Sequence, residues 1–189
     1  MNRTELETPR LLHRRFRMED LEDFYEYASR PEVGPAAGWK PHASRRESEQ
    51  ILAGFIHGGE VWALVWKETG KVIGSVGLHD DSHRGGVPGV KMLGYVLSSD
   101  YWGRGIMTEA ARRMISYAFE ERGLELMSVQ HFSFNEKSRR VIEKCGFTYE
   151  GTLRQCFLRY DGERLDECCY SMTRDEYFLK GAVDFETES

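Results

Sequence analysis

The sequence predicts an α/β fold: a three-layer sandwich in which helices cover both faces of a strand-rich sheet. Three observations predict it. Short apolar runs bounded by glycine and polar turns recur along the chain, at Val61 to Lys67, Lys71 to Leu78, Val90 to Leu97 and Leu126 to Phe132. Apolar residues recur at helical spacing in Glu19 to Ser29 and Ile106 to Arg122. The two kinds of segment are interspersed. The chain's 189 residues favour one domain over 1–189, with 181–189 as a frayed acidic tail.

Leu6 to Arg17 reads as a first strand with a polar start. The helix over Glu19 to Ser29 carries Leu21, Phe24, Tyr25 and Ala28 on one face, and Pro31 marks its end. Pro31 to Pro41 is a loop punctuated by glycine and proline. Ser44 with Glu47 three residues on is a capping-box pattern for a helix to about His57, closed by Gly58-Gly59. Glu68-Thr69-Gly70 turns a hairpin between two strands, and His79 to Gly89 is a polar connection. Val90 to Leu97 is apolar on both faces, which predicts a central strand. The long helix Ile106 to Arg122 stops at Gly123. After the strand Leu126 to Phe132, Asn135 caps a short helix that runs to Cys145 and ends at Gly146. Strands near Phe147 to Leu158 and Glu163 to Met172, then a helical turn at Thr173 to Leu179, complete the chain.

Composition removes several function classes. The net charge is -5, so there is no basic footprint for nucleic acid. The longest apolar run, Val61 to Trp66, is too short to span a bilayer, and the polar start has no signal-peptide core. The expectation is a cytoplasmic protein with no nucleic-acid or membrane partner. The four cysteines, Cys145, Cys156, Cys168 and Cys169, form no C-x-x-C pair, so they read as free thiols with no metal site.

Chemistry concentrates at Trp102-Gly103-Arg104-Gly105-Ile106-Met107-Thr108, where a strand passes through a glycine turn into a helix. The first turn of a helix has backbone N–H groups without internal partners, and the dipole is positive there. Glycines let an anion approach those donors. No Gly-Lys-Ser/Thr follows, and position 108 is Thr rather than a third glycine, so neither nucleotide fingerprint fits. A second constellation is Asn135-Glu136-Lys137-Ser138, ending in Cys145-Gly146-Phe147. Alone, it reads first as helix capping.

Taken in order, these motifs, with Glu150-Gly151-Thr152-Leu153-Arg154, Thr8-Pro9-Arg10-Leu11, Gly38-Trp39-Lys40-Pro41-His42 and Thr173-Arg174-Asp175-Glu176-Tyr177, resemble the GNAT acetyltransferase superfamily. Within it they resemble the RimJ/RimL branch of ribosomal-protein N-terminal acetyltransferases. The resemblance implies a mixed, mostly antiparallel, splayed central sheet, and acetyl-CoA as cosubstrate. Its pantetheine would pair with Tyr95, Val96, Leu97 and Ser98, and its pyrophosphate would lie on Trp102 to Thr108. Asn135 would contact the pantetheine and Ser138 would lie near the sulfur, as the acid that serves the leaving thiolate. The acceptor would be a small-molecule amine or a protein N-terminus, in a pocket walled by Trp39, His42 and His79. The superfamily turn opens with Gln or Arg and closes with Gly or Ala, where this chain has Trp102 and Met107. The tyrosine many members use as general acid is replaced by Ile142.

Several features keep blander readings. His79, Asp80 and His131 each remain open as base or as loop and edge residues. His79-Asp80-Asp81-Ser82-His83 reads as a solvated loop rather than a metal site. Lys137, Arg139, Arg140 and Lys144 make the short helix basic, an exposed face that the resemblance places near the adenosine phosphates. A CoA-binding module without catalysis is the alternative function. Oligomeric state stays open, with a homodimer among the options.

Overall fold

Proline splits the first strand. Pro9 has no N–H to give a ladder, and the chain turns there: Thr8 N–H reaches the Leu11 carbonyl at 2.9 Å. The single strand expected over Leu6 to Arg17 is therefore two, β1 (Glu5–Glu7) and β2 (Leu11–Arg15), paired antiparallel. The computed structural model describes residues 5–179; the expected acidic tail lies outside them.

α1 (Leu21–Ala28) and α2 (Arg45–Gly58) follow. Ser44 caps α2 by accepting the Glu47 N–H, while the Glu47 carboxylate takes the Ala43 N–H, one residue earlier than the usual reciprocal bond. β3 (Val61–Trp66) and β4 (Val72–His79) form the hairpin. Next come β5 (Val90–Leu97), α3 (Ile106–Ser116), β6 (Leu126–Phe132), α4 (Glu136–Lys144), β7 (Thr148–Leu158) and β8 (Arg164–Thr173). Residues 174–179 are helical. The expected helix over Ile106 to Arg122 is α-helical only to Ser116. It then widens into a π-turn, Tyr117–Glu121, closed by Arg122 N–H on the Tyr117 carbonyl.

The strands make one sheet in the order β1-β2-β3-β4-β5-β6-β8-β7. Every neighbouring pair is antiparallel except β5–β6. β3 shows how the layers form. Trp62, Leu64 and Trp66 pack toward α3, and Val61, Ala63 and Val65 pack toward α1 and α2. β5 is central as predicted, yet half of it is open. It registers with β6 only through Val90, Met92 and the residue between them. Beyond Met92 the two strands part, and the sheet is splayed.

The connection from His79 to Gly89 is not simply solvated. Asp81 is buried and takes the Ser128 hydroxyl at 2.5 Å, Arg84 Nη1 at 2.8 Å and the His83 N–H at 2.8 Å. Burial pushes its pKa up, but these bonds outweigh burial and hold the carboxyl below its usual range. Arg84 continues to Glu150, so this connection is bound to the β7–β8 end of the sheet.

His13, fully buried, makes the fold sensitive to pH. Its Nδ1 lies 3.2 Å from the Leu6 carbonyl and its Nε2 3.3 Å from the Ala110 carbonyl. The neutral ring carries one N–H and satisfies one of them. Burial, opposed by these two carbonyls, pulls the pKa to about 4. Between pH 6.5 and 4 the unfolded chain then binds a proton that the folded chain does not. Stability contributed by neutral His13 is therefore complete above pH 6.5 and is lost progressively as pH falls toward 4. The shift corresponds to about 3 kcal/mol. Denaturant titrations of the wild type and His13→Gln across this window should show a steeper acid loss in the wild type. Parallel curves would contradict the assignment.

Candidate active site

The parting of β5 and β6 opens a cleft of about 1000 Å³. Its walls are β5, the turn into α3, the end of β6, the start of α4 and the segment between α1 and α2. Ladder parity determines what β5 offers. Ser98 N–H bonds the Ile73 carbonyl at 2.8 Å, so even-numbered residues turn their backbone groups toward β4. Leu93, Tyr95 and Leu97 turn theirs toward the cleft, past the point where pairing with β6 ends. The Leu97 carbonyl accepts the Trp102 indole N–H at 2.9 Å, which leaves the Leu97 N–H facing the cleft.

The turn offers donors next. Gly103 and Gly105 have φ of +73° and +71°, in the left-handed region that glycine adopts freely. A Cβ built on Gly103 would meet nothing within 4 Å. Gly105 sits at the N-cap of α3 and has no side chain to cap it, so the first N–H groups of the helix are free for a ligand. Ile106, Met107 and Thr108 line the cleft there. Met107 departs from the superfamily pattern without obstructing the site, because its side chain is buried in the core with Ala110 and Met114. Arg104 points elsewhere: its guanidinium lies over the Trp66 and Tyr101 rings, and its carbonyl accepts Arg10 Nη1 at 3.0 Å. Ser98 is buried and lies outside the lining. These features fit an extended ligand ending in a pyrophosphate: open backbone groups on one strand, then uncapped donors at an unobstructed glycine turn.

At α4, Asn135 Oδ1 accepts the Ser138 N–H at 3.1 Å, and Asn135 Nδ2 donates to the Ala36 carbonyl at 2.9 Å. The same side chain thus caps α4 and ties down the α1–α2 segment. Ser138 Oγ lies 2.8 Å from the Tyr95 hydroxyl. Burial pushes the Tyr95 phenol up, opposed by the Ser138 bond, so it stays protonated. Sequence reasoning gave Tyr95 a backbone role only. Strand parity was the signal available, since Leu93, Tyr95 and Leu97 share the α4 side of the sheet. Ile142 is buried in the core.

The opposite side of the cleft carries Trp39, His79, Gln130, Phe132, Phe157 and Glu167. The His79 ring lies against Gly77 and Gly94, where an added Cβ would come within 2.9 and 2.8 Å of it. Burial pulls its pKa below 6.5, aided by Lys91 and opposed by Glu60 and Asp80, so it is neutral at pH 7. Glu167 keeps 12% of its side chain exposed and binds His83 Nε2 at 3.0 Å. Sequence reasoning missed Glu167 and Gln130, which lie in runs that read as ordinary strand. His42 does not reach the cleft: it is buried behind Trp39, bonded to Ser48 Oγ at 2.7 Å and packed on Phe24. His131 lines the cleft with both ring nitrogens engaged, by the Phe132 carbonyl and the Tyr170 hydroxyl. Asp80 is exposed and paired with Lys91. Among the described residues no group of three or more His, Cys, Asp or Glu could hold a metal, and no helix is long and apolar enough to cross a membrane.

The acetyltransferase (GNAT) domain family matches residues 10–148. The Bacillus subtilis (strain 168) protein named "Uncharacterized N-acetyltransferase YoaA" is 28% identical over 89% of this chain and 96% of its own length. An acetyltransferase (GNAT family) from Bacillus anthracis superposes with a TM-score of 0.82 at 23% identity, over 91% of this chain and 99% of that one. A ribosomal-protein-S5-alanine acetyltransferase from Vibrio fischeri superposes with a TM-score of 0.74 at 24% identity, over 91% of this chain and 97% of that one. The splayed sheet, the glycine turn and the family match over most of the chain agree: this chain belongs to the GNAT acetyltransferases, in their RimJ/RimL-like family, and is an N-acetyltransferase.

Proposed function

We propose that this chain moves the acetyl group of acetyl-CoA to a primary amine, either a small molecule or a protein N-terminus, by direct attack in a ternary complex in the cytoplasm. The observation that carries the reading is the parting of β5 and β6 beside an uncapped glycine turn. Acetyl-CoA supplies its acetyl group as a thioester, whose carbonyl carbon takes the amine as the carbon–sulfur bond breaks. The cleft-facing backbone of Tyr95 and Leu97 would hold the pantetheine arm with Asn135, and the N–H groups from Gly103 to Thr108 would hold the pyrophosphate. The Leu97 N–H is the donor for the carbonyl oxygen. Ser138, held by Tyr95, donates its proton to the departing sulfur as the carbon–sulfur bond breaks and takes one back from solvent, so that CoA leaves as the thiol and the hydroxyl is restored. Neutral His79 accepts the proton that the amine gives up, and Glu167 attracts the incoming ammonium. Trp39, Phe132 and Phe157 wall the acceptor side. The Tyr95–Ser138 contact supplies an acid where Ile142 cannot, which favours an enzyme over a silent CoA-binding module.

Initial rates with both substrates varied should give intersecting lines; parallel lines would replace the ternary complex with an acetylated enzyme. His79 accepts a proton only when deprotonated, so kcat/KM should fall as pH drops through a value below 6.5. His79→Gln should remove that limb and lower the plateau by roughly 100-fold. A variant that keeps the wild-type profile would assign the base elsewhere.

A further inference from the structure

A pyrophosphate on the turn brings negative charge, and the turn's own arginine does not meet it. Arg104 is turned outward onto Trp66 and Tyr101. Arg10, nearby, is committed to Glu109 at 2.6 Å. Three cations of α4 line the cleft, Lys137, Arg140 and Lys144, and Lys137 is the one of them seated on a side chain of the turn. Lys137 Nζ lies 3.7 Å above the Trp102 ring, lines the cleft and has no carboxylate partner among the described residues. Its neighbour Arg139 points to the other side of α4 and is bound by Glu136 and Glu143. The Trp102 ring is itself fixed, because its indole N–H is bonded to the Leu97 carbonyl.

We propose that Lys137 is the cation that binds the cosubstrate's pyrophosphate, and that Trp102 is the residue that positions it. An aromatic face holds an ammonium without cancelling its charge, whereas a carboxylate partner would have to be displaced before a phosphate could bind. Trp102 therefore does through Lys137 what a cationic residue at the start of the turn would do directly. Its indole bond also joins the phosphate end of the site to β5, where the thioester end is read. The charge and the acid, Lys137 and Ser138, are adjacent residues on the first turn of α4, so one cap at Asn135 places both.

The proposal rests on acetyl-CoA being the donor, and the test separates the two. CoA is titrated calorimetrically into the wild type, Lys137→Ala, Lys137→Arg, Arg139→Ala, Trp102→Leu and the Lys137→Ala/Trp102→Leu double variant, with thermal melting as the check on folding. Lys137→Ala should weaken CoA binding by roughly tenfold or more, and the difference from wild type should shrink as salt is raised. Lys137→Arg should restore binding, and Arg139→Ala should bind as the wild type does. Trp102→Leu should weaken binding, and the double variant should be no weaker than the weaker single variant. Unchanged affinity in Lys137→Ala, or an equal loss in Arg139→Ala, would overturn the role of Lys137. Additive losses in the double variant would overturn the role of Trp102; should Trp102→Leu fail to fold, Trp102→Phe, which keeps an aromatic face under Lys137, should lose less CoA affinity than Lys137→Ala, and a loss that persists in the Lys137→Ala background would overturn that role. A wild type that does not bind CoA would overturn the donor assignment itself.

Discussion

Ser138→Ala should lower kcat by roughly 100-fold or more while leaving the dissociation constant for CoA unchanged. The separation follows from the geometry. The Ser138 backbone N–H, not its hydroxyl, is bonded by Asn135, so alanine preserves the cap of α4. What it removes is the hydroxyl 2.8 Å from Tyr95, the group assigned to protonate the leaving sulfur. Tyr95→Phe should lower kcat less, because the serine hydroxyl stays and loses only its orienting partner. The two variants are read by steady-state kinetics alongside calorimetric CoA binding. Unchanged turnover in Ser138→Ala would remove Ser138 from the chemistry, and a matching loss of CoA affinity would make its role one of binding.

Gly105→Val should abolish measurable CoA binding, a loss of roughly 100-fold or more by the worth of several charge-assisted backbone contacts. Valine is strained at φ +71°, costing on the order of 1–3 kcal/mol of stability. It also puts a branched side chain at the N-cap, with its Cβ 3.8 Å from Arg10 Nη2, at the residue next to the donors that the anion needs. The strain is controlled by Gly70→Val. Gly70 has φ +73° in the β3–β4 hairpin turn, where an added Cβ meets nothing within 4 Å. That variant should lose comparable stability and bind CoA as the wild type does. Equal loss of CoA binding in the two would mean that strain, rather than the anion turn, is being measured.

The elements proposed to carry cosubstrate binding were legible in the sequence because each is local. Gly103 and Gly105 lie within one strand–turn–helix, and Asn135 caps the same helix that carries Ser138. The sheet's helical cover follows from period alone. The misses are mostly non-local. The Tyr95 side chain meets Ser138 across 43 residues of sequence, and Glu167 meets His83 across 84. Neither pairing is visible until the strand order is known. Asp81 read as solvated because its partners, Ser128 and Arg84, are joined to it by tertiary structure and by a tight local turn. His42 read as a wall because its loop does line the cleft, through Trp39, behind which His42 is buried. Two misses were local. Pro9 signalled the break in the first strand, whereas nothing in the run from Tyr117 to Glu121 announced the π-turn.

The central claim is that the cleft between β5 and β6 moves an acetyl group from acetyl-CoA to an amine. Release of free CoA thiol, followed with acetyl-CoA against a panel of small amines and N-terminal peptides, tests it most directly when the acceptor is also weighed by mass spectrometry. The account predicts thiol release that depends on the amine, matched by an acceptor heavier by one acetyl group, and slowed by roughly 100-fold or more in Ser138→Ala. Thermal stabilisation by CoA with no amine-dependent thiol release on any acceptor in the panel would contradict it.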